Sequence, residues 1–343
     1  MPTVNTVTGP IDAERLGRVL PHERIFLVDE DYRLNFLPDW DEEAQVARAV
    51  ARLREVRALG VDTIFDVSVF GTGRKVDRVA RVARESGVNV VAATGVFTYN
   101  DLPFQFHYTG PALGFSGPDP LDELFVRDLT EGIGNTGIRA AFLVCVIEAE
   151  GPTAGVERIL RATGRAAVAT GAPIMVATNP HTQSGLVAQQ ILASEGVDLT
   201  RVMLAHCGDT TDLDYLIRLA DAGSILGLDR FGVDLLQPYE QRLRVLEALL
   251  ERGLAGQLAL SQGAFCTSDW FDEERLAAEL PDWNYLQVYG RVLPDLRARG
   301  VDESIIAAMT VDLPRRFLTG ERRNPGLVTP ISPISGFSTE TGA

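Results

Sequence analysis

Short apolar runs alternate with longer amphipathic segments along most of the chain. Eight runs read as strands: residues 18–20 continuing toward 26, 63–67, 89–94, 140–146, 173–178, 202–206, 224–228 and 258–261. They are rich in Val, Ile, Leu and Phe, as strands buried on both faces are. Between them apolar residues recur at helical spacing over 42–59, 76–85, 122–132, 155–170, 185–195, 212–222, 239–253 and 284–299. Strand followed by helix, eight times over, predicts an α/β fold: a parallel sheet closed into a (β/α)8 TIM barrel. One barrel domain is expected over 1–320. The Pro-, Ser-, Thr- and Gly-rich segment 321–343 is expected to be a flexible tail.

Chemistry in such a barrel gathers at the C-terminal ends of the strands. His22, Arg24, Asp66, Tyr99, His206, Asp229 and Gln262 all fall at or just after predicted strand ends, so they read as one pocket. The side-chain period of a strand is two, which turns His22 and Arg24 to the same side. Two inserts are long enough to cover the barrel mouth: the aromatic stretch 99–117, a lid or an oligomer contact, and the loop 266–275 after the eighth strand.

Composition narrows the partners. The 343 residues are 45% hydrophobic and 23% charged, an ordinary balance for a chain with a large core. A net charge of −15 repels phosphate, which argues against nucleic acid and against an anionic membrane surface. Small molecules and proteins remain. Cys145, Cys207 and Cys266 have neither the count nor the spacing of a disulfide framework or zinc finger and read as reduced thiols. The N-terminus has no basic region followed by an apolar one, and no apolar run approaches a membrane span. A cytoplasmic protein is expected.

The order and spacing of several blocks carry a resemblance. They are Val4-Asn-Thr-Val-Thr-Gly-Pro10, Asp66-Val-Ser-Val-Phe-Gly-Thr-Gly-Arg74, Gly95-Val-Phe-Thr-Tyr-Asn100, His181-Thr-Gln-Ser-Gly185, Ala205-His-Cys-Gly-Asp-Thr-Thr-Asp-Leu-Asp-Tyr215, Gly227-Leu-Asp-Arg-Phe-Gly232 and Val311-Asp-Leu-Pro-Arg-Arg316. Together they resemble the phosphotriesterase-like lactonases of the amidohydrolase superfamily over roughly residues 3–319. The resemblance implies the barrel, a homodimer, and a binuclear metal centre whose bridging hydroxide attacks a lactone or phosphotriester. Its six ligand positions fall here on His22, Arg24, Val144, Ala177, His206 and Gly263.

Four of those six residues offer no side-chain donor to a metal. A guanidinium keeps its protons and has no lone pair, and Val, Ala and Gly have nothing to give. Catalytic zinc takes about three protein ligands, more than the two retained histidines supply. The sequence therefore predicts a metal-independent enzyme with no cofactor, performing cyclisation, isomerisation, elimination or metal-free hydrolysis on a small anionic or carbonyl-containing substrate in specialised metabolism. One alternative is a hydrolase of lactones or esters holding a single metal on His22 and His206, completed by water or Asp229. Another is an inactive barrel that binds a small molecule or acts as a scaffold.

His22, Arg24, His206 and Asp229 are the expected catalytic residues. Arg24 either clamps an anionic oxygen through its fork of donors or plugs the old metal site in an ion pair with Asp229, Asp66 or Asp209. His22 and His206 either exchange protons with substrate or are inert remnants. Tyr99, Asp66, Val144, Ala177, Asn179, Arg230 and Gln262 are the expected substrate-binding residues, with Val144, Ala177 and Gly263 enlarging the space. Cys145 and Cys207 read as packing, and His181 as a loop residue.

Overall fold

The computed structural model describes residues 2–37, 40–110 and 117–321. The chain opens with an antiparallel hairpin, β1 (Thr3–Thr6) and β2 (Gly9–Asp12). Nine parallel strands follow: β3 (Val19–Leu27), β4 (Thr63–Asp66), β5 (Asn89–Gly95), β6 (Phe142–Ile147), β7 (Ile174–Thr178), β8 (Val202–Ala205), β9 (Ile225–Leu228), β10 (Leu258–Leu260) and β11 (Phe265–Ser268). From β3 to β10 each strand pairs with the next in sequence, while β11 lies on the free side of β3. β10 and β11 are two pieces of one interrupted strand. The first pairs with β9 and the second with β3, so residues 258–268 close the sheet into the (β/α)8 barrel.

All eight expected strands are present, with ends within two residues of the sequence reading. The hairpin and β11 are additions. β1 is Thr-Val-Asn-Thr, too polar to stand out as a strand, and β11 follows a glycine break inside what reads as a loop. The main helices lie where expected, and Asp41, Asp119, Asp212 and Asp272 fix four helix starts by accepting hydrogen bonds from first-turn N–H groups. The tail, Glu321 excepted, and residues 111–116 of the aromatic insert lie outside the described residues. Among the described residues no helix is long and apolar enough to cross a membrane.

Alternation along the strands divides the core in two. One set packs between the sheet and the helices. The other fills the barrel interior with Phe65, Val67, Val91, Ala93, Phe142, Val144, Met175, Met203, Ala205 and Ile225. Val4 of the hairpin and Leu313 and Phe317 of the last helix pack against this inner set. Phe65, Phe142 and Phe317 meet with ring centroids 5.7 to 6.4 Å apart. Each ring so buried contributes about 1.5–3 kcal/mol. The interior is therefore a solid floor, and open space is left only above it.

Two backbone features shape that upper end. The β3–β4 register shifts between Leu20 and Glu23, a bulge containing Pro21, whose missing N–H is tolerated there. Gly95 ends β5 at φ +145°, and a Cβ on it would lie 1.8 Å from the Val144 carbonyl oxygen. Only glycine lets the chain turn there into the loop carrying Phe97 and Tyr99.

Candidate functional site

Past the bulge, β3 sends His22 and Arg24 into a cavity of about 410 Å³ at the strand ends, and Glu23 away from it. His206 enters from just beyond β8 in a left-handed conformation, φ +67° and ψ +13°, which is strained for a non-glycine residue. Asp229, just past β9, holds it there: its Oδ1 accepts the His206 backbone N–H at 2.7 Å. The other oxygen, Oδ2, lies 3.5 Å from Nδ1 of His22. The two imidazoles meet edge to face with centroids 5.5 Å apart. His22, His206 and Asp229 thus offer three donor atoms within 4.8 Å of one another. Gly263 lies against them at φ +63°, where a Cβ would come within 3.0 Å of the Asp229 carbonyl oxygen and 3.5 Å of His22 Nδ1.

Burial sets the protonation of this group. It lowers both histidines well below their usual range, helped at His22 by the charges of Arg24 and Arg230, and at His206 by Arg230, His22 and Arg24. It raises Asp229 to about 7, against the opposing pull of Arg230. Near neutral pH both imidazoles are uncharged. Below about 7 Asp229 is protonated; with the hydrogen of His22 on Nε2, its Nδ1 lone pair faces that carboxyl, although at 3.5 Å the two atoms do not hydrogen-bond and each is buried without a partner. His206 has the opposite tautomer. Its Nδ1 donates to the Thr178 carbonyl at 3.2 Å, leaving Nε2 as an acceptor. The cavity is then offered one N–H donor and one imidazole lone pair.

Arg24 is 8% exposed, and its Nε has no hydrogen-bond partner. Among the described residues no carboxylate lies within ion-pair distance of its guanidinium, so it is not locked to Asp229, Asp66 or Asp209. Asp209 is ion-paired with Arg230 and Arg242, at 2.7 Å each. The Asp66 carboxylate accepts from the Ser68 N–H at 2.9 Å. The Arg24 guanidinium lies 5.3 Å from the ring centroid of Phe97, and the Arg24 carbonyl is held by the Tyr285 hydroxyl.

The remaining expected residues divide. Tyr99 and Arg230 line the cavity. Val144 and Ala177 are each 3% exposed and do not line it; Val144 belongs to the packed floor beneath. Asn179 bonds Glu148 at 2.9 Å, and Asp66 is buried, its charge acting on Arg24 from beyond ion-pair distance. Gln262 is fully buried, donating to Glu23 and accepting from the Val288 N–H, so its amide is already committed. The three cysteines are buried and unpaired, and burial raises each thiol.

Other important residues escaped sequence reasoning. Trp270, Phe271 and Trp283, with Leu235 and Leu236, form the apolar side of the cavity. The Trp-Phe pair and the Leu-Leu pair, isolated in polar loops, were the available signal. Glu23 was missed because alternation turns it away from the cavity. Its Oε1 accepts from Ser261 Oγ at 2.7 Å, the Gln262 N–H at 3.0 Å and Gln262 Nε2 at 2.8 Å, and its Oε2 from the Ala264 N–H at 2.6 Å. Burial nonetheless pushes its carboxyl up to about 8.

A pH dependence of stability follows. Glu23 and Asp229 start from 4.5 and 3.8, so the folded chain holds more protons than the unfolded one up to about 8 and 7. Their contribution to stability is complete below the unfolded values and falls as pH rises through the folded ones. The two histidines, half protonated in the unfolded chain at 6.5 and neutral in the folded one, oppose the change by less than about 1 kcal/mol in total. The unfolding free energy from urea titration is expected to drop by about 1–2 kcal/mol between pH 6.5 and 8. A rise over that interval would contradict the assignment.

Comparison with known proteins places these features in context. Residues 2–318 match the profile of the Phosphotriesterase family. A Mycobacterium tuberculosis protein named "Phosphotriesterase homology protein" is 46% identical over 318 residues, 92% of this chain and 98% of that one. A Saccharolobus solfataricus protein named "Aryldialkylphosphatase" is 32% identical over 311 residues, 90% of this chain and 97% of that one. The solved structure of the phosphotriesterase from Mycobacterium tuberculosis superposes with a TM-score of 0.90 at 46% identity, covering 92% of this chain and 98% of that one.

Proposed function

The chain belongs to the phosphotriesterase family, and we propose that it works without the family's binuclear metal centre, as an acid–base enzyme on a small organic substrate. The observation that carries this reading is Arg24, a buried cation with no ion-pair partner among the described residues, at the position of an expected metal ligand. The donor set does not fit two metal ions. Arg24, Val144, Ala177 and Gly263 provide no ligand atom, and a side chain at Gly263 would have to begin within 3.0 Å of the Asp229 carbonyl oxygen.

In this reading Arg24 orients an anionic or carbonyl oxygen of the substrate and stabilises charge that builds on it. His206 Nε2 takes a proton, and His22 Nε2–H supplies one to the opposite end of the reacting bond. Such a pair serves cyclisation, isomerisation, elimination or hydrolysis by water. The buried guanidinium of Arg24 and a tryptophan-lined wall keep charge interactions strong by limiting water. A cytoplasmic setting, supported by the three unpaired cysteines, and a homodimer, supported by the exposed Phe104 and Tyr108 of the aromatic insert, belong to the same proposal.

A second reading rests on the His22, His206 and Asp229 cluster, which has the number of protein ligands a single catalytic zinc takes. Those residues would hold the ion, which would polarise a substrate oxygen. Arg24 and Arg230 oppose it by placing two positive charges nearby. Metal analysis separates the readings. Protein expressed with added zinc and manganese and then dialysed is expected to retain far less than about one equivalent per chain. A stoichiometric ion that disappears in His22→Ala would establish the second reading in place of the first.

A further inference from the structure

We propose that the cavity is built for a carboxylate joined to an apolar body of about the size of an aromatic ring, with the carboxylate on Arg24. The inference rests on the reading of this cavity as the substrate site and goes on to its ligand. Buried charges in folded proteins are normally paired. Arg24 is more than nine-tenths buried, lines the cavity, leaves Nε without a partner and has no carboxylate within ion-pair distance among the described residues. Asp66 and Asp229 act on Arg24 only from beyond ion-pair distance, so a direct counter-charge is left to a ligand.

Geometry narrows its type. The Phe97 ring, 5.3 Å away, occupies one side of the guanidinium, leaving its edge as the route for hydrogen bonding. An edge with parallel N–H groups matches the two coplanar oxygens of a carboxylate. A phosphate or phosphonate brings a second charge, and the nearest further cation, Arg230, is engaged by Asp209 at 2.7 Å. The walls decide the rest of the molecule. Phe97, Tyr99 and Trp270 form a continuous aromatic face, with ring centroids 5.4 and 6.1 Å apart, and Leu235 and Leu236 also line the cavity. The volume of about 410 Å³ lies at the small end of the range for organic ligands. The chain's net charge of −15 repels anions from most of the surface, so carboxylate binding has to be local to Arg24.

The test is calorimetric titration of the full-length protein with hydrocinnamate, its primary amide hydrocinnamide, acetate and benzylphosphonate, repeated with Arg24→Met. Hydrocinnamate is expected to bind at one site, with hydrocinnamide and acetate each at least about tenfold weaker, since a charge-assisted pair and an aromatic contact each contribute that much. Arg24→Met is expected to erase the preference for carboxylate over amide. Equal binding of acid and amide by the wild-type protein overturns the proposal even if the variant does not fold. Tighter binding of benzylphosphonate overturns the carboxylate assignment. Selective carboxylate binding without turnover of any carboxylate would leave this inference standing and remove the catalytic one. Turnover of neutral substrates without carboxylate selectivity would do the reverse.

Discussion

Glu23→Ala is expected to lower the unfolding free energy by about 4 kcal/mol and the melting temperature by about 10 °C, although Glu23 does not line the cavity. The carboxyl is fully buried and receives four hydrogen bonds from Ser261, Gln262 and Ala264, themselves no more than 2% exposed. Removing it strands four donors, each costing about 1–3 kcal/mol when left dry. Loss of the buried carboxyl's own desolvation penalty, already visible in its rise to about 8, offsets part of that sum. Glu23→Gln should fall between the variant and the wild type, because an amide retains one acceptor oxygen but turns an NH2 group toward donors. Urea unfolding of both variants decides the matter. A loss of less than about 1 kcal/mol in Glu23→Ala would mean that water replaces the carboxyl without penalty and that the network is not a stabilising seam.

His206→Ala is expected to reduce kcat/KM by 10² to 10⁴, the range typical of a positioned acid or base, on whichever substrate is found. The larger test lies in its partner. The donor and acceptor pair exists while Asp229 keeps its proton, so activity should decline as pH rises through about 7. Above that value the ionised carboxylate draws hydrogen onto Nδ1 of His22, and Nε2 changes from donor to acceptor. Asp229→Asn imitates the protonated acid. Its amide oxygen can accept the His206 N–H, and its NH2 can face His22 Nδ1, fixing the donor tautomer. The variant should remain active and lose the alkaline decline. A pH–rate profile in which Asp229→Asn is inactive, or in which wild-type activity climbs through 7, would sink this tautomer assignment.

The barrel was legible because its strands are short and apolar and are separated by helices long enough for a crossover. Periodicity cannot reveal an interruption inside a strand. Ser261-Gln-Gly-Ala264 looks like the end of β10, and only the pairing of Phe265–Ser268 with β3 shows that the strand resumes. The same limit affected individual residues. His22, Arg24, His206 and Asp229 do gather at one place, because strand ends of a closed barrel converge. Gln262 shares that address, yet the break in the strand turns its amide to Glu23 and Val288. Val144 and Ala177 also lie near strand ends but remain below the cavity. Sequence position gave the height along the strand only roughly, and one residue of height separates floor from wall. That Arg24 would lack an ion-pair partner was beyond the sequence too, since three aspartates were equally eligible.

The seam between the first strand and the broken eighth has a consequence for synthesis. His22 and Glu23 bond groups 238 to 241 positions later in the chain. While the ribosome is still making the middle of the protein, β3 has a bare edge and Glu23 has none of these four partners. Earlier strands can pair with their neighbours as they emerge, but the ring has no means of closing until the residues around 268 are free of the exit tunnel. The nascent barrel is therefore an open, curling sheet for most of its synthesis, and β3 is the edge that chaperones or aggregation would meet first.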